Sequence, residues 1–281
     1  MSTASSTRLD PDRYLAAVAA DAARFVDVLA TVPDGTRVPT CPDWNVEDLL
    51  HHLGQVHHFW ALVITTGVRD DAEAEALTPL PRPDDRQTLL DVVRGASGSL
   101  LDALDSTPAD AEAWTWAPDD HTVGFIQRRQ AHEACIHRLD AELTAAPDGS
   151  ARTAINPMLA TDGVDEALRL IGAAVPPEAT VEPEEDRLVR VVASDTGTTW
   201  LATMTRVVVR QDGRPRASQG ISVADVDPAD GTVRPVAILS GTAEDLDCSF
   251  WGRPTLGDLH RTGDLTLLAE FEATFSNRPG G

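Results

Sequence analysis

Apolar residues recur every three or four positions through most of the first half of the chain, which is the pattern of amphipathic helices. Local signals mark where these helices begin and weaken. Pro11 opens the first, Asn45 with Asp48 three residues later caps the second, and Gly95 and Gly98 weaken the third. Four helices of this length with modest loops predict an antiparallel four-helix bundle. The predicted helices are 10–32, 45–66, 86–104 and 122–144.

The second half of the chain changes character after one more helical stretch. That stretch, 156–174, leads into Pro176, Pro177 and an acidic segment, 178–186, which we interpret as a linker. Runs rich in branched residues then predict strands, and two shorter segments predict helices. The strands are 188–192, 199–204 and 236–239, and the helices are 242–251 and 264–275.

These elements predict an α+β protein with two domains. A helical bundle is expected over residues 1–175, and a small α+β domain over residues 186–281. The length of 281 residues exceeds the usual size of one domain, and a hydrophobic content of 42% is sufficient for two packed cores.

Composition excludes several classes of function. The formal net charge of −22 argues against binding to nucleic acids or anionic membranes. All 23 basic residues are arginines, which excludes Schiff-base chemistry, a P-loop and a kinase active site, since each requires a lysine. Cys41, Cys135 and Cys248 are far apart, which disfavours disulfides, and neither a signal peptide nor a transmembrane run is evident. We therefore expect a soluble protein of the reducing cytoplasm.

One histidine of the second predicted helix is selected by periodicity. The apolar stripe of this helix includes Leu49, Leu53 and Val56, and His52 falls on it. Its histidine neighbours fall beside the stripe, although His57 is close enough to remain a candidate. We therefore expect His52 to face the interior of the bundle.

The fourth predicted helix carries a polar stripe where the core of a bundle should be apolar. Glu133 and His137 are four residues apart and leave the same face, with Gln130 one turn before them and Asp140 one turn after. A buried carboxylate is costly without a partner, so this stripe requires a metal ion or a hydrogen-bonded network. Asp140 is placed to accept a hydrogen bond from the imidazole of His137.

His52, Glu133 and His137 together form a candidate catalytic metal site. Two imidazoles and a carboxylate suit a divalent ion, zinc first, and nickel, iron or manganese also. Three protein ligands leave one coordination position free for a substrate. Each residue alone has an ordinary explanation, because Glu-x-x-x-His pairs are common on solvated helices and a lone inward histidine is often a core residue. We expect the remaining histidines outside the second helix to be exposed; they are His121, His132 and His260.

Seven short motifs resemble one known family in the same order along the chain. They are VPTCPDW at 38–44, DLLHHLG at 48–54, RRQAHE at 128–133, HRLDAE at 137–142, LSGTAEDL at 239–246, FWGRP at 250–254 and GD at 263–264. The family that they resemble is that of the mycothiol-dependent maleylpyruvate isomerases. Because the motifs span most of the chain, the resemblance is more specific than any one of them.

This resemblance implies a DinB-like four-helix bundle that carries a divalent metal, followed by a small α+β domain similar to sterol carrier proteins. The metal ligands of the family correspond here to His52, Glu133 and His137. Its activity converts maleylpyruvate to fumarylpyruvate with the thiol mycothiol as cosubstrate. A metal lowers the pKa of the thiol, and the thiolate adds to the cis double bond, permits rotation and leaves. The resemblance also implies an actinobacterial cytoplasm.

A dicarboxylate substrate requires cationic groups, which must be arginines in a chain without lysine. The family places an important arginine in its second domain, for which Arg253 is the candidate here. Arg129, one turn before Glu133, is a second candidate. With His52, these two make up the predicted catalytic residues, although either arginine alone is as well explained by an ordinary salt bridge.

Three functions follow as hypotheses. The first is a mycothiol-dependent isomerase, and the second is a mycothiol S-transferase that acts on another electrophile. The third is a non-catalytic, metal-containing module whose second domain binds an apolar ligand or regulates a partner. For the two enzymes, the expected partners are a small-molecule thiol and a small-molecule electrophile.

Overall fold

The computed structural model describes residues 7–171, 175–176, 178–211, 214–223 and 234–276. It divides into two compact units. The first is Leu9–Ala154, and the second comprises the chain from Ile155 onward together with the residues before Leu9. The sequence placed this boundary later, at 175–186. The helix that follows Ile155 belongs to the second unit, where Gly163 packs so closely on Asp247 that a Cβ would lie 2.6 Å from Oδ2.

The first unit contains the predicted long helices together with a two-stranded hairpin and a short helix. Neither of these smaller elements is long enough to show a periodic pattern, so the sequence did not predict them. In chain order the elements are α1 (Pro11–Leu29), β1 (Arg37–Val38), β2 (Cys41–Asn45), α2 (Val46–Thr66), α3 (Asp71–Glu75), α4 (Arg86–Ser106) and α5 (Val123–Ala145).

Side-chain caps determine where the long helices begin. Asn45 and Asp48 form the predicted capping box, in which each side chain accepts a hydrogen bond from the other residue's backbone N–H. Thr122 caps α5 through a single hydrogen bond, which its side chain accepts from the Phe125 backbone N–H. Helix α4 runs unbroken through Gly95 and Gly98, because its buried leucines hold it against its neighbours.

The order of contacts shows which helices are parallel. Arg138 of α5 pairs with Asp21 of α1. One turn further along both helices, Glu142 of α5 pairs with Arg24 of α1. The two helices therefore run in the same direction. Helices α2 and α4 are also parallel, since Gly54 lies against Val93 and His57 contacts Ser97 one turn further on.

The end of α1 meets the start of both α2 and α4. Arg86, at the start of α4, donates hydrogen bonds to the Leu29 carbonyl and the Glu47 carboxylate. The helix order is therefore up-down-down-up, and the prediction of a simple antiparallel bundle is wrong in this respect. At roughly 3.3 Å for each extended residue, the connection 67–85 easily returns along the ~30 Å of α2. Fully buried residues of α1 and α2 fill the core, including Phe25 and Leu53.

The second unit packs helices on a mixed sheet, which confirms the predicted α+β class. Among the described strands the order is β5-β4-β3-β6-β7, and only β3 and β6 pair in parallel. In chain order the elements are α6 (Pro157–Glu166), β3 (Thr180–Ala193), β4 (Thr199–Gln211), β5 (Arg214–Val223), β6 (Ala237–Gly241), α7 (Ala243–Phe250), β7 (His260–Gly263) and α8 (Leu265–Ser276).

Several boundaries in the second unit differ from the sequence prediction. The acidic segment 178–186 is not a linker, because β3 begins at Thr180 and Glu182 pairs with Arg206 of the neighbouring strand at 3.3 Å. Strands β5 and β7 were missed because most of their residues are exposed and polar. The helix predicted over 156–174 is α6 as far as Glu166 and continues as a π-helical turn to Ile171. Residues 172–174 and 177 lie outside the described residues.

Among the described residues, no helix is both long and apolar enough to cross a membrane.

Candidate metal centre

His52, Glu133 and His137 meet at one point of the first unit. One ligand atom from each lies within 4.8 Å of the other two. Nε2 of His52 and Nε2 of His137 are both 3.2 Å from the same carboxylate oxygen, Glu133 Oε1. The structure therefore brings together the three residues that the sequence selected.

The three side chains of the site differ in their exposure to solvent. His52 comes from the second turn of α2, and Glu133 and His137 come from successive turns of α5, which packs against α2. The side chains of His52 and Glu133 are 27% and 18% exposed, whereas that of His137 is 5% exposed. A small molecule can therefore approach from the side of His52, while His137 forms the closed side.

Trp44 forms a wall of the site. Its ring centroid lies 4.6 Å from that of His52 and 6.2 Å from that of His137. The residue belongs to β2, directly before α2. An indole ring in this position limits the rotation of both imidazoles and excludes water from one side of them.

Asp140 holds the His137 ring from the side opposite Glu133. Nδ1 of His137 lies 2.9 Å from Asp140 Oδ2, and the hydroxyl of Thr40 donates to Asp140 Oδ1 at 2.6 Å. Asp140 is fully buried. The predicted hydrogen bond between Asp140 and His137 is confirmed. A ring held through Nδ1 by a carboxylate presents its Nε2 lone pair to a metal ion, as metal-binding histidines generally do.

The charges of the cluster shift the pKa of both Glu133 and His137. Burial acts to raise the pKa of Glu133, but hydrogen bonds from His137 and His52 and the charge of Arg129 hold it well below its ordinary value. Burial acts to lower the pKa of His137, but its contacts with Asp140 and Glu133 raise it to about 9. Without a metal ion, His137 therefore carries a proton at neutral pH and Glu133 is ionised. A metal ion must displace that proton, so its binding releases a proton.

Arg129 lies one turn before Glu133 and touches it. Its Nη2 is 3.2 Å from Glu133 Oε2, and the guanidinium is almost entirely buried. The structure thus places this predicted substrate-binding arginine beside a candidate metal ligand. Its charge keeps the carboxylate ionised, which is the form that coordinates metal.

The three residues fit a divalent metal ion. Two ring nitrogens and a carboxylate oxygen converge from two helices, and one of the rings has a carboxylate acceptor behind it. Three protein donors leave a coordination position for another ligand, as in catalytic sites. This donor set suits zinc, nickel, iron or manganese.

The other histidines of α2 have separate partners. His51 and His58 lie against the backbone carbonyls of Leu80 and Thr78. They belong to the contacts between α2 and the loop that precedes α4.

His57 is fully buried and contacts α4 instead of α5. Its Nδ1 lies 2.9 Å from Ser97 Oγ, and that hydroxyl donates to the Val93 carbonyl at 3.0 Å. Because the hydroxyl proton is already used, His57 must be the donor through Nδ1–H. Its buried Nε2 has no hydrogen-bond partner among the described residues. Burial lowers the pKa of His57 to about 4.

Among the histidines outside α2, His121 and His260 are exposed as predicted, but His132 is buried, so the prediction for it was wrong. Its ring lies edge-on to Tyr14, with centroids 6.4 Å apart. Helix α5 is surrounded by other elements on nearly all sides, so it has no wide exposed face on which His132 could lie.

Arg253 belongs to the second unit, in the loop that follows α7. The residue is buried, and its Nη1 donates to the Trp251 carbonyl at 2.5 Å. Its contact with a substrate stays a prediction.

Thr40 and Trp44 contribute to the site but were not selected from the sequence. Helical periodicity cannot identify them because they lie in and beside a short hairpin. They belong to the VPTCPDW motif, which indicated the family resemblance but gave no role to its individual residues.

A separate cavity of about 800 Å³ lies where α2 and α4 end and α5 begins. Val63, Gly67, Thr107, Trp114 and Val123 are among the residues that line it, and none of the three candidate ligands does. Some of its polar groups are already engaged, as in the hydrogen bond of 3.0 Å from Trp114 Nε1 to Asp71 Oδ1.

The fold and the site define a class of protein, in which a helical bundle with a His/Glu/His candidate metal centre is joined to a small α+β domain. Residues 15–142 match the family described as the mycothiol maleylpyruvate isomerase N-terminal domain. The helical unit of this chain therefore matches that domain family over most of its length, and the resemblance identified in the sequence motifs is confirmed. All three candidate ligands lie within the matched segment.

Solved structures show that the similarity of fold extends over nearly the whole chain. A crystal structure of the mycothiol-dependent maleylpyruvate isomerase matches with a TM-score of 0.55 and 13% identity, over 92% of this chain and 95% of that chain. A crystal structure of a histidine-to-alanine mutant of the mycothiol-dependent maleylpyruvate isomerase matches with a TM-score of 0.55 and 12% identity, again over 92% of this chain and 95% of that chain. No curated protein sequence matches the chain significantly.

Proposed function

We propose that this chain is a metal- and mycothiol-dependent enzyme that acts on an activated electrophile by cis–trans isomerisation, as maleylpyruvate isomerase does. The observation that carries the proposal is the convergence of His52, Glu133 and His137 at a solvent-accessible point of a domain of this family. The choice of mycothiol and of a maleylpyruvate-like substrate is supported by the enzyme name of the similar solved structures.

A divalent metal ion bound at this point supplies the positive charge that lowers the pKa of a thiol cosubstrate. The thiol must come from outside, because Cys41, Cys135 and Cys248 are all buried in the chain. In the proposed reaction its sulfur adds to one carbon of the double bond, and the π electrons move to the conjugated carbonyl. The former double bond is now a single bond and rotates. The electrons then return to it, and the sulfur leaves.

The chain contributes ligands, orientation and exclusion of water. His52 and Glu133 are the partly exposed ligands, so the thiol and the electrophile would meet beside them. Trp44 shields the rings from water, which preserves a thiolate against reprotonation. Arg129 and Arg253 are the proposed binding groups for the substrate carboxylates, because a guanidinium pairs with a carboxylate through two hydrogen bonds.

The proposal is tested by turnover of maleylpyruvate with metal-loaded protein, with and without mycothiol. We expect isomerisation only when both metal and mycothiol are present. The Glu133→Gln variant should lose bound metal and turnover together, since glutamine lacks the charged carboxylate that zinc sites use. Glu73→Gln is the matched control, because the half-exposed carboxylate of Glu73 pairs with nearby Arg69 and has no described contact with the candidate ligands. Its metal content and turnover should equal those of the wild type.

Other outcomes distinguish the alternative functions. Mycothiol-dependent consumption of other electrophiles, without isomerisation of maleylpyruvate, would replace the isomerase with an S-transferase. Tight metal binding with no binding of mycothiol would contradict both enzymes and favour the non-catalytic module.

A further inference from the structure

The turn between β1 and β2 is connected to the candidate metal centre by a chain of hydrogen bonds. The Thr40 hydroxyl donates to Asp140 Oδ1 at 2.6 Å, and Asp140 Oδ2 lies 2.9 Å from His137 Nδ1. We propose that Thr40 and Asp140 are positioning residues, which set the metal affinity of the site by fixing the ring of His137. This inference rests on the proposed function only in taking a divalent metal ion as the occupant.

Asp140 can act in this way because both of its oxygens are held. Its carboxylate is fully buried, so each oxygen requires a donor. Thr40 supplies the donor for Oδ1 and thereby fixes the plane of the carboxylate. Oδ2 then lies at a fixed position relative to the His137 ring. The ring has Nδ1 as its donor, and its Nε2 is directed at the shared Glu133 oxygen.

The same hairpin also restrains the other helix of the site. Asn45, the last residue of β2, is the N-cap of α2, the helix that carries His52. Trp44, one residue earlier, lies against the His52 ring. The hairpin therefore contacts α5 through Thr40 and α2 through Trp44 and Asn45. A hairpin with both connections is suited to holding the two imidazoles at a constant separation.

A purely structural role for Asp140 makes a different prediction. If the carboxylate served only to satisfy buried groups, its replacement would lower the stability of the fold and leave metal affinity unchanged once the protein is folded. The chain offers a matched comparison two residues further along α5. Glu142 is also fully buried, and it accepts a hydrogen bond of 2.8 Å from the Thr153 hydroxyl, but it contacts none of the candidate ligands.

The experiment measures zinc affinity by competition with a chromophoric chelator, using full-length protein. We expect Asp140→Asn to weaken binding by roughly 10–100-fold, the usual effect of losing such a supporting group. Thr40→Val should weaken it by a smaller factor, and Thr40→Ser should restore it because the hydroxyl returns. The controls Glu142→Gln and Thr153→Val should bind zinc as the wild type does. Circular dichroism confirms that each variant is folded.

A second measurement follows the His137 ring itself. In the zinc-loaded wild type, nitrogen-15 NMR should show His137 with a protonated Nδ1 and a zinc-bound Nε2. Loss of the Nδ1 proton signal is expected in Asp140→Asn. Thr40→Val should keep the signal, because Asp140 still accepts the Nδ1 hydrogen bond.

The outcomes separate this inference from the proposed function. Unchanged zinc affinity in both Asp140→Asn and Thr40→Val overturns the inference, as does an equal loss in Glu142→Gln. Neither result bears on thiol-dependent turnover. Conversely, a zinc-loaded wild type that fails to isomerise any substrate contradicts the function, while the affinity differences among the variants still support the positioning role.

Discussion

His57 carries no charge in the folded protein because its ring is fully buried and its Nδ1–H is donated to Ser97. A protonated ring would place a second N–H, at Nε2, where no acceptor is available among the described residues. The contrast with His137 on the neighbouring helix is instructive, since that ring is also buried but lies between two carboxylates. Burial alone therefore does not determine whether a histidine is charged; its partners do.

The neutral state of His57 predicts acid sensitivity. Its folded pKa of about 4 lies below the ordinary 6.5, so between these values the unfolded chain binds a proton that the folded chain does not. The stability from this group is thus fully present above pH 6.5 and is lost as the pH falls towards 4. Over this pH interval, we expect the unfolding free energy of the His57→Leu variant to fall by on the order of 3 kcal/mol less than that of the wild type.

Urea unfolding at pH 7 and at pH 4 measures this difference. His121→Leu is the control, because His121 is exposed, and its acid sensitivity should equal that of the wild type. An equal loss of stability in His57→Leu and in the wild type would show that His57 is not the group responsible.

The candidate ligands could be predicted from the sequence, but the direction in which each residue faces could not be fully resolved. Periodicity identifies residues that face inward, and both His52 and His57 do so. However, α2 packs on two neighbours, so its interior has two sides. His52 faces α5, and His57 faces α4 through Ser97. Only the three-dimensional arrangement distinguishes these sides.

Two glycines show how the packing of an element depends on single atoms. Gly54 of α2 lies at the contact with α4, where an added Cβ would be 2.9 Å from Val93 Cγ2 and 3.0 Å from Leu80 Cδ2. At Gly98 on α4, no atom of the described residues lies within 4 Å of an added Cβ. The two residues have the same helix propensity but different surroundings.

We expect opposite effects from the same substitution at these positions. Gly98→Ala should stabilise the protein by roughly 0.5–1 kcal/mol, since alanine is the better helix former. Gly54→Ala should destabilise it, because overpacking costs typically ~1–3 kcal/mol and exceeds the gain in propensity. Thermal unfolding of both variants beside the wild type checks this, and a higher melting temperature for Gly54→Ala would mean that α2 and α4 separate at little cost.

The elements that the sequence predicted well are those with strong local signals. The capping box at Asn45 and the apolar stripes of the long helices depend on neighbours within one or two turns. The first part of β3 was mistaken for a linker because its charged residues are compensated by a distant strand, as Glu182 is by Arg206. Partners so far apart in the sequence leave no periodic signal in either segment.

At the scale of the whole molecule, the sequence predicted two domains but placed their boundary by composition. The proline and acidic residues near 176–186 are typical of a linker, yet the observed division lies at Ala154 and Ile155. Contacts decide membership of a unit, and α6 contacts α7 of the second unit. Composition describes the local chain only, so it cannot report such contacts.

This division predicts that the first unit contains a complete metal site. Every contact described for the candidate ligands, Trp44, Thr40 and Asp140 included, lies within Leu9–Ala154. We expect a fragment of residues 9–154 to fold as a helical protein and to bind one zinc ion with the affinity of the full chain. Chelator competition and circular dichroism measure both properties, and the same fragment with Glu133→Gln serves as the control.

The fragment should nevertheless fail to isomerise maleylpyruvate, since Arg253, the proposed carboxylate-binding group of the second unit, is absent from it. Metal affinity and turnover are thus expected to separate at the boundary between the two units. A folded fragment that binds zinc much more weakly than the full chain would mean that the second unit supplies a donor to the site. Turnover by the fragment alone would instead leave Arg129 as the proposed substrate-binding arginine and remove Arg253 from the mechanism.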